Sequence, residues 1–178
     1  MVGQIHHFGP SQETVIESTP IEGLYFLQPS RFDDERGYYA ELARLPEIEA
    51  ATGKAFEIKQ LNLSHSKQHV IRGLHAENWN KLITITSGTA FCAWVDVRPQ
   101  SETFGNVVTM EMGDADTAQQ GSIFVQAGIA NSFLVTDGPL DYLYAVDELY
   151  SERDTSGDVA LNLFDETLDI PWPLAREE

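Results

Sequence analysis

Residues 72–81 read RGLHAENWNK and set Arg72, His75 and Lys81 in one short run. A segment that serves only the fold has little use for a histidine flanked by two cations. An imidazole, with an ordinary pKa near ~6.5, is a neutral base around neutral pH. A guanidinium grips phosphate oxygens at two points, which an ammonium cannot copy. An ammonium is a compact donor for an oxygen that gains negative charge in a reaction. The run therefore points to chemistry that needs a base beside fixed positive charge.

The same histidine could instead ligate a metal, which requires three or four converging ligands. His75 and Glu77 lie together, but no second histidine stands two residues from His75. His65 and His69 are separated by the polar SKQ, and His6 and His7 belong to an N-terminal stretch expected to be mobile. No metal site and no cofactor are expected.

These groups need a frame to hold them. The 178 residues suit one domain, 1–178, with a polar N-terminal lead over residues 1–20. Hydrophobic residues make up 42% of the chain and aromatics 10%, a globular profile. The formal charge of −17 excludes the basic face of a nucleic-acid binder. An anionic ligand would have to be held by a few local cations against that field. No apolar run approaches the ~20 residues of a membrane helix, and the first residues lack a signal-peptide pattern. The single cysteine, Cys92, cannot form an internal disulfide and suits a reducing cytoplasm, where the chain is expected. Its apolar surroundings, TAFCAWVDV, predict burial.

One helix is predicted over LPEIEAAT, with Pro46 near its start and Gly53 just past its end. The remainder reads as short strands: GLYFLQP, FEIKQLNLS, HVIRGLH, KLITITSG, TAFCAWVDV, NVVTMEM, SIFVQAG, SFLVTD and YLYAVDELY. SRFDDERG reads as a turn-rich lead into YYAEL. Thr109 and Glu111 alternate with Val108, Met110 and Met112, so one face of that strand should be buried. TAFCAWVDV is apolar on both parities and should be covered on both sides. Evenly spaced strands with Gly, Asp and Pro turns predict an all-β sandwich or jelly-roll barrel. Tyr142 and Tyr144 share one face of their strand.

The blocks RFDDERGYYAE, IKQLNLSHSKQHVIRGLH, VDVRPQSETFG and LDIPWP, in this order, resemble the dTDP-4-dehydrorhamnose 3,5-epimerase family from about Gly23 to Pro173. The resemblance implies a cupin-like jelly-roll (double-stranded β-helix) that epimerises a dTDP-4-keto-6-deoxy sugar at C3, C5 or both. It implies metal-free chemistry in the biosynthesis of dTDP-rhamnose or a related deoxysugar. A proton beside the ketone would leave to a base and return from an acid on the other ring face. By the same resemblance His75 is the base, Lys81 stands at the developing oxyanion, and Tyr144 delivers the proton. Arg36, Arg72, Gln60 and Asn62 would hold the nucleotide diphosphate and sugar, with Glu41 at the thymine. The region carrying Glu41 crosses to a neighbouring subunit in the family, implying a homodimer with shared sites.

Three departures stand out. Asn131 in IANSF occupies a position commonly histidine in the family, where it can hydrogen-bond but not titrate. Leu149 and Tyr150 replace an aromatic pair. The aspartate that usually partners the family histidine lies beyond the WP block, and the sequence reads only WPLAREE from there. Asp165 and Asp169 match positions without a catalytic role. A longer protein, a substitute carboxylate and reduced double-epimerase activity each fit this departure. The competing expectation is a nucleotide-sugar-binding domain that kept the pocket without the chemistry, alone or within a longer bifunctional protein.

Overall fold

A computed structural model describes residues 15–173. His6 and His7 lie outside the described residues. Along the chain come β1 (Val15–Ser18), β2 (Leu24–Gln28), β3 (Ser30–Asp34), β4 (Gly37–Glu41) and α1 (Leu45–Thr52). Then follow β5 (Gln60–Ser66), β6 (Ile71–Ala76), β7 (Lys81–Asp96), β8 (Val107–Gly113), β9 (Ser122–Val125), β10 (Ile129–Val146) and β11 (Val159–Ala160).

Two long strands organise the molecule. β7 and β10 run antiparallel from Ile129↔Asp96 to Val146↔Lys81, with register shifts between Val135 and Tyr142. On one side of these shifts the order is β1-β2-β9-β7-β10-β5. On the other side it is β8-β7-β10-β6-β11. Two sheets thus share two bent strands, a cupin-like jelly-roll. The segments KLITITSG and TAFCAWVDV, which read as two strands, are one. So are SFLVTD and YLYAV, with the strand ending at Val146 rather than running on through DELY. The Ser-Gly and Asp-Gly-Pro signals between them mark irregularities within a pair rather than chain reversals.

Side chains from both sheets fill the space between them, with Leu24, Phe26, Ile83, Ile123, Leu140 and Tyr142 meeting Cys92, Trp94, Met112, Ile129 and Phe133. Val108 and Met110 pack against this core while Thr109 and Glu111 are exposed, as the alternation predicts. Cys92 is buried. The outer faces are covered too. Ile48 of α1 and Phe56 pack with Leu27, Phe124 and Ala145 on one sheet. Leu161, Leu163, Leu168 and Ile170 pack over Leu74, Ala76, Val95 and Ala130 on the other. That second cover is why TAFCAWVDV is apolar on both parities.

The helix matches its expected bounds, with Pro46 in its first turn and Gly53 capping it at φ 68°, where a side chain would be strained. Three local readings are corrected. Residues 15–18, inside the expected N-terminal lead, pair with β2. Residues 56–59 are not strand, since Phe56 turns inward to meet Phe124 edge-on, centroids 5.3 Å apart. SRFDDERGYYAE is a hairpin, β3–β4, whose strands pair only with each other among the described strands.

Candidate active site

A cavity of about 220 Å³ opens between the two sheets. β6 lends it Arg72, Gly73 and His75; β7 lends Lys81; β10 lends Asn131, Phe133, Tyr142 and Tyr144. Ser64 of β5 and Glu77, just past β6, complete the lining.

Arg72 and His75 are three residues apart, so simple strand alternation would put them on opposite faces. A bulge brings them together. Phe133 pairs with Arg72 and Asn131 with His75, a two-residue step on β10 against three on β6. Gly73 makes the bulge possible. Its φ is 120°, and a Cβ there would lie 2.6 Å from the Asn131 carbonyl oxygen and from Ser132 Cβ. Leu74 and Ala76 then point away into the outer cluster.

His75 is exposed at the cavity, and its ring makes no hydrogen bond or ion pair among the described residues. Lys81 is deeply buried for a lysine, with 7% of its side chain exposed. Its Nζ donates to the Glu77 carboxylate and, at 2.5 Å, to Asn131 Oδ1. Burial pushes the Lys81 pKa down, while Glu77 pulls against that. Asn131 in turn donates to the Tyr142 hydroxyl at 3.5 Å.

The two tyrosines share the cavity face, as alternation predicts, but differ in setting. Tyr142 is buried and stacks on Phe133, centroids 4.6 Å apart. Tyr144 is half-buried, and burial followed by the Glu77 charge raises its pKa. A phenol held protonated in this way can give up a proton to a carbanion but does not ionise at rest.

Arg72 donates from Nε to Ser66 Oγ at 3.0 Å, leaving its terminal nitrogens unengaged among the described residues. The fork is available to an anion. Gln60 and Asn62 lie along the same face of β5 as Ser64 and are joined at 2.6 Å. Gln60 Oε1 accepts from the Tyr150 backbone N–H at 2.9 Å. Asn62 Nδ2 and Ser64 Oγ are buried without a hydrogen-bond partner among the described residues. Groups left so are suited to a polar ligand.

Two expected residues stand elsewhere in the chain. Arg36 sits at the β3–β4 turn, where its Nε donates to Asp34 at 3.1 Å. Glu41 accepts from Arg44 Nε at 2.8 Å. Neither is among the cavity's lining residues, and Gln60 and Asn62 are not either. Five lining residues were given no site role in the sequence: Ser64, Gly73, Glu77, Phe133 and Tyr142. Ser64 and Glu77 each follow an assigned residue by two, Asn62 and His75, so strand alternation was a usable signal for both. Phe133 carried none. Among the described residues no three His, Cys, Asp or Glu side chains are grouped to hold a metal ion. His65 instead meets Asp141 at 2.6 Å on the surface.

A proton acceptor, a buried cation, a protonated phenol and a free guanidinium around one cavity can enolise a ketone in a phosphate-bearing substrate. Comparison with known proteins agrees. The family model described as dTDP-4-dehydrorhamnose 3,5-epimerase matches residues 18–178. The dTDP-4-dehydrorhamnose 3,5-epimerase of Escherichia coli K12 is 33% identical, over 87% of this chain and 83% of that protein. The crystal structure of the Elizabethkingia anophelis enzyme of that name superposes with a TM-score of 0.81 at 28% identity, covering 93% and 90% of the two chains. A Legionella pneumophila dTDP-6-deoxy-D-glucose-3,5-epimerase, solved in complex with dTDP-4-keto-L-rhamnose, gives 0.79 at 28% identity, covering 92% and 86%.

Proposed function

From the premise that this chain belongs to the dTDP-4-dehydrorhamnose 3,5-epimerase family, we propose that it epimerises a dTDP-4-keto-6-deoxy sugar at C3, C5 or both, in deoxysugar biosynthesis. The observation that carries this reading is the grouping of His75, Lys81, Tyr144 and Arg72 around one cavity from three different strands.

His75 takes the proton from the carbon beside the ketone. The bonding pair delocalises onto the ketone oxygen as an enolate, and Lys81 donates a hydrogen bond to that oxygen. Tyr144 gives its phenolic proton to the opposite face of the carbon, which inverts the centre. The imidazolium and tyrosinate then return to their resting forms by exchange with solvent. The ammonium supplies the positive charge the enolate needs, so the step calls for no metal.

Arg72 forks the diphosphate, while Gln60, Asn62, Ser64 and Asn131 offer neutral polar contacts to sugar and nucleotide. Arg36 and Glu41 serve through a homodimer, in which the β3–β4 hairpin of one copy reaches the cavity of the other. Among the described strands the hairpin pairs only with itself, and Tyr38 and Tyr39 on it are exposed. β5 pairs only with β10 among the described strands and exposes Leu61 and Leu63. Both features fit a surface covered by a second copy.

The test is NMR of dTDP-4-keto-6-deoxyglucose with the protein in deuterated water. Deuterium should enter at C3, C5 or both. Saturable binding with no exchange at either carbon would make the protein a binder and overturn the proposal.

A further inference from the structure

Among the described residues that line the cavity, Glu77 is the one carboxylate. It meets Lys81 where both side chains are largely shielded, with 21% and 7% exposed. A lysine ammonium has three N–H donors. One goes to Glu77 and one to Asn131, whose backbone is pinned between Trp94 of β7 and His75 of β6.

The rest of the surroundings would not keep a buried ammonium charged. Arg153 works against it, and Asp158 supports it only after Glu77. Asp158 is itself bonded to Arg153 at 2.7 Å. From β6 the cavity receives Arg72 and His75, neither of them an anion. From β10 it receives Asn131 and the phenols Tyr142 and Tyr144, both with raised pKa values. β5 offers the Ser64 hydroxyl, and β9 sets apolar Val125 opposite Lys81. The burden of holding the proton therefore falls on Glu77.

We propose that Glu77 is a positioning residue of the epimerisation: it keeps Lys81 an ammonium and, together with Asn131, fixes two of its N–H bonds so that the third faces the substrate ketone. This rests on the epimerase reading for its purpose but not for its physical content. At rest the pair is neutral, so Arg72 is the uncompensated cation left for the diphosphate. The enolate meets a donor that is already oriented and need not be reorganised.

The decisive measurement follows the Lys81 side chain in protein labelled with 13C and 15N lysine, in wild type, Glu77→Gln and Glu77→Asp. Alongside it runs the pH profile of deuterium incorporation. In Glu77→Gln the Lys81 titration midpoint should fall by at least ~1 pH unit, a tenfold change in acidity. The alkaline limb of the exchange profile should fall with it, and the acid limb should stay. Glu77→Asp should recover part of both shifts. A Lys81 midpoint in Glu77→Gln within ~0.3 unit of wild type would overturn the proposal. Should wild type fail to exchange deuterium at all, the epimerase reading falls, while the Lys81 midpoint still judges the hold of Glu77. Should Glu77→Gln fail to fold, Glu77→Gln/Lys81→Met should fold again, because the uncompensated buried charge is gone. A double variant as unstable as the single one would also overturn it.

Discussion

Replacing His75 by asparagine should remove the base and little else. The ring makes no hydrogen bond or ion pair among the described residues, and the residue is exposed on a strand whose buried contacts come from Leu74 and Ala76. A substitution at such a place shifts stability by no more than about 0.5 kcal/mol. General-base catalysis contributes about 10²–10⁴ in rate, which at ~1.36 kcal/mol per factor of ten is roughly 2.7–5.4 kcal/mol of barrier. The two effects differ enough to be read separately. Deuterium incorporation into the 4-keto sugar should slow by at least ~100-fold in His75→Asn. The urea unfolding midpoint and the dissociation constant for dTDP should stay near wild type. Exchange within ~10-fold of wild type would take His75 out of the mechanism. A loss of stability above ~2 kcal/mol would show that the imidazole holds the fold together, contrary to its lack of partners.

Arg72→Lys keeps the charge but loses the fork, so dTDP-sugar binding at moderate salt should weaken about tenfold, roughly one charge-assisted hydrogen bond; an unchanged dissociation constant by calorimetry would confine Arg72 to the fold. Asp96 is buried and accepts from Arg98 Nε at 2.8 Å and from Ser101 and Thr103 hydroxyls at 2.6 Å each. Burial pushes its pKa up, but these hydrogen bonds outweigh burial and hold it well below the usual carboxylate range. Such a group stabilises fully above its unfolded pKa of ~3.9, and the contribution is lost as pH falls toward the folded value. Asp96→Asn should therefore cost about 3 kcal/mol in urea unfolding at neutral pH, with a smaller gap from wild type below about pH 4; an equal gap at both pH values would refute the assignment. Leu61→Asp/Leu63→Asp should convert a wild-type dimer to monomer in sedimentation velocity, since both side chains are already exposed in the single chain; a wild type that sediments as a monomer would refute the shared site.

Much of this was legible in the sequence because the signals are local. Period-two alternation exposed the buried face of β8 and set Tyr142 and Tyr144 side by side. Proline and glycine placed the two ends of α1, whose buried residue Ile48 then found the outer cluster. The ordered blocks RGLH, VDVRPQSETFG and LDIPWP identified the family and with it the jelly-roll. Contacts between residues distant in sequence required the fold. The Ser-Gly and Asp-Gly-Pro stretches looked like chain reversals, yet β7 and β10 continue through them because pairing on either side carries both strands onward. Arg72 and His75 share a face only because a bulge at Gly73 adds a residue against β10, and no period shows a bulge in advance. Lys81 is set at the oxyanion by resemblance alone; its burial emerges only in the fold, where Asn131, 50 residues away, accepts a hydrogen bond from it and Glu77 supplies the counter-charge. Arg36 and Glu41 keep their local partners Asp34 and Arg44, since an opposite charge two or three residues away is nearer than the cavity between the sheets. Local chemistry wrote the list of candidate groups; which of them face one another was decided by strand register and bulge placement, properties of paired strands that neither strand holds alone.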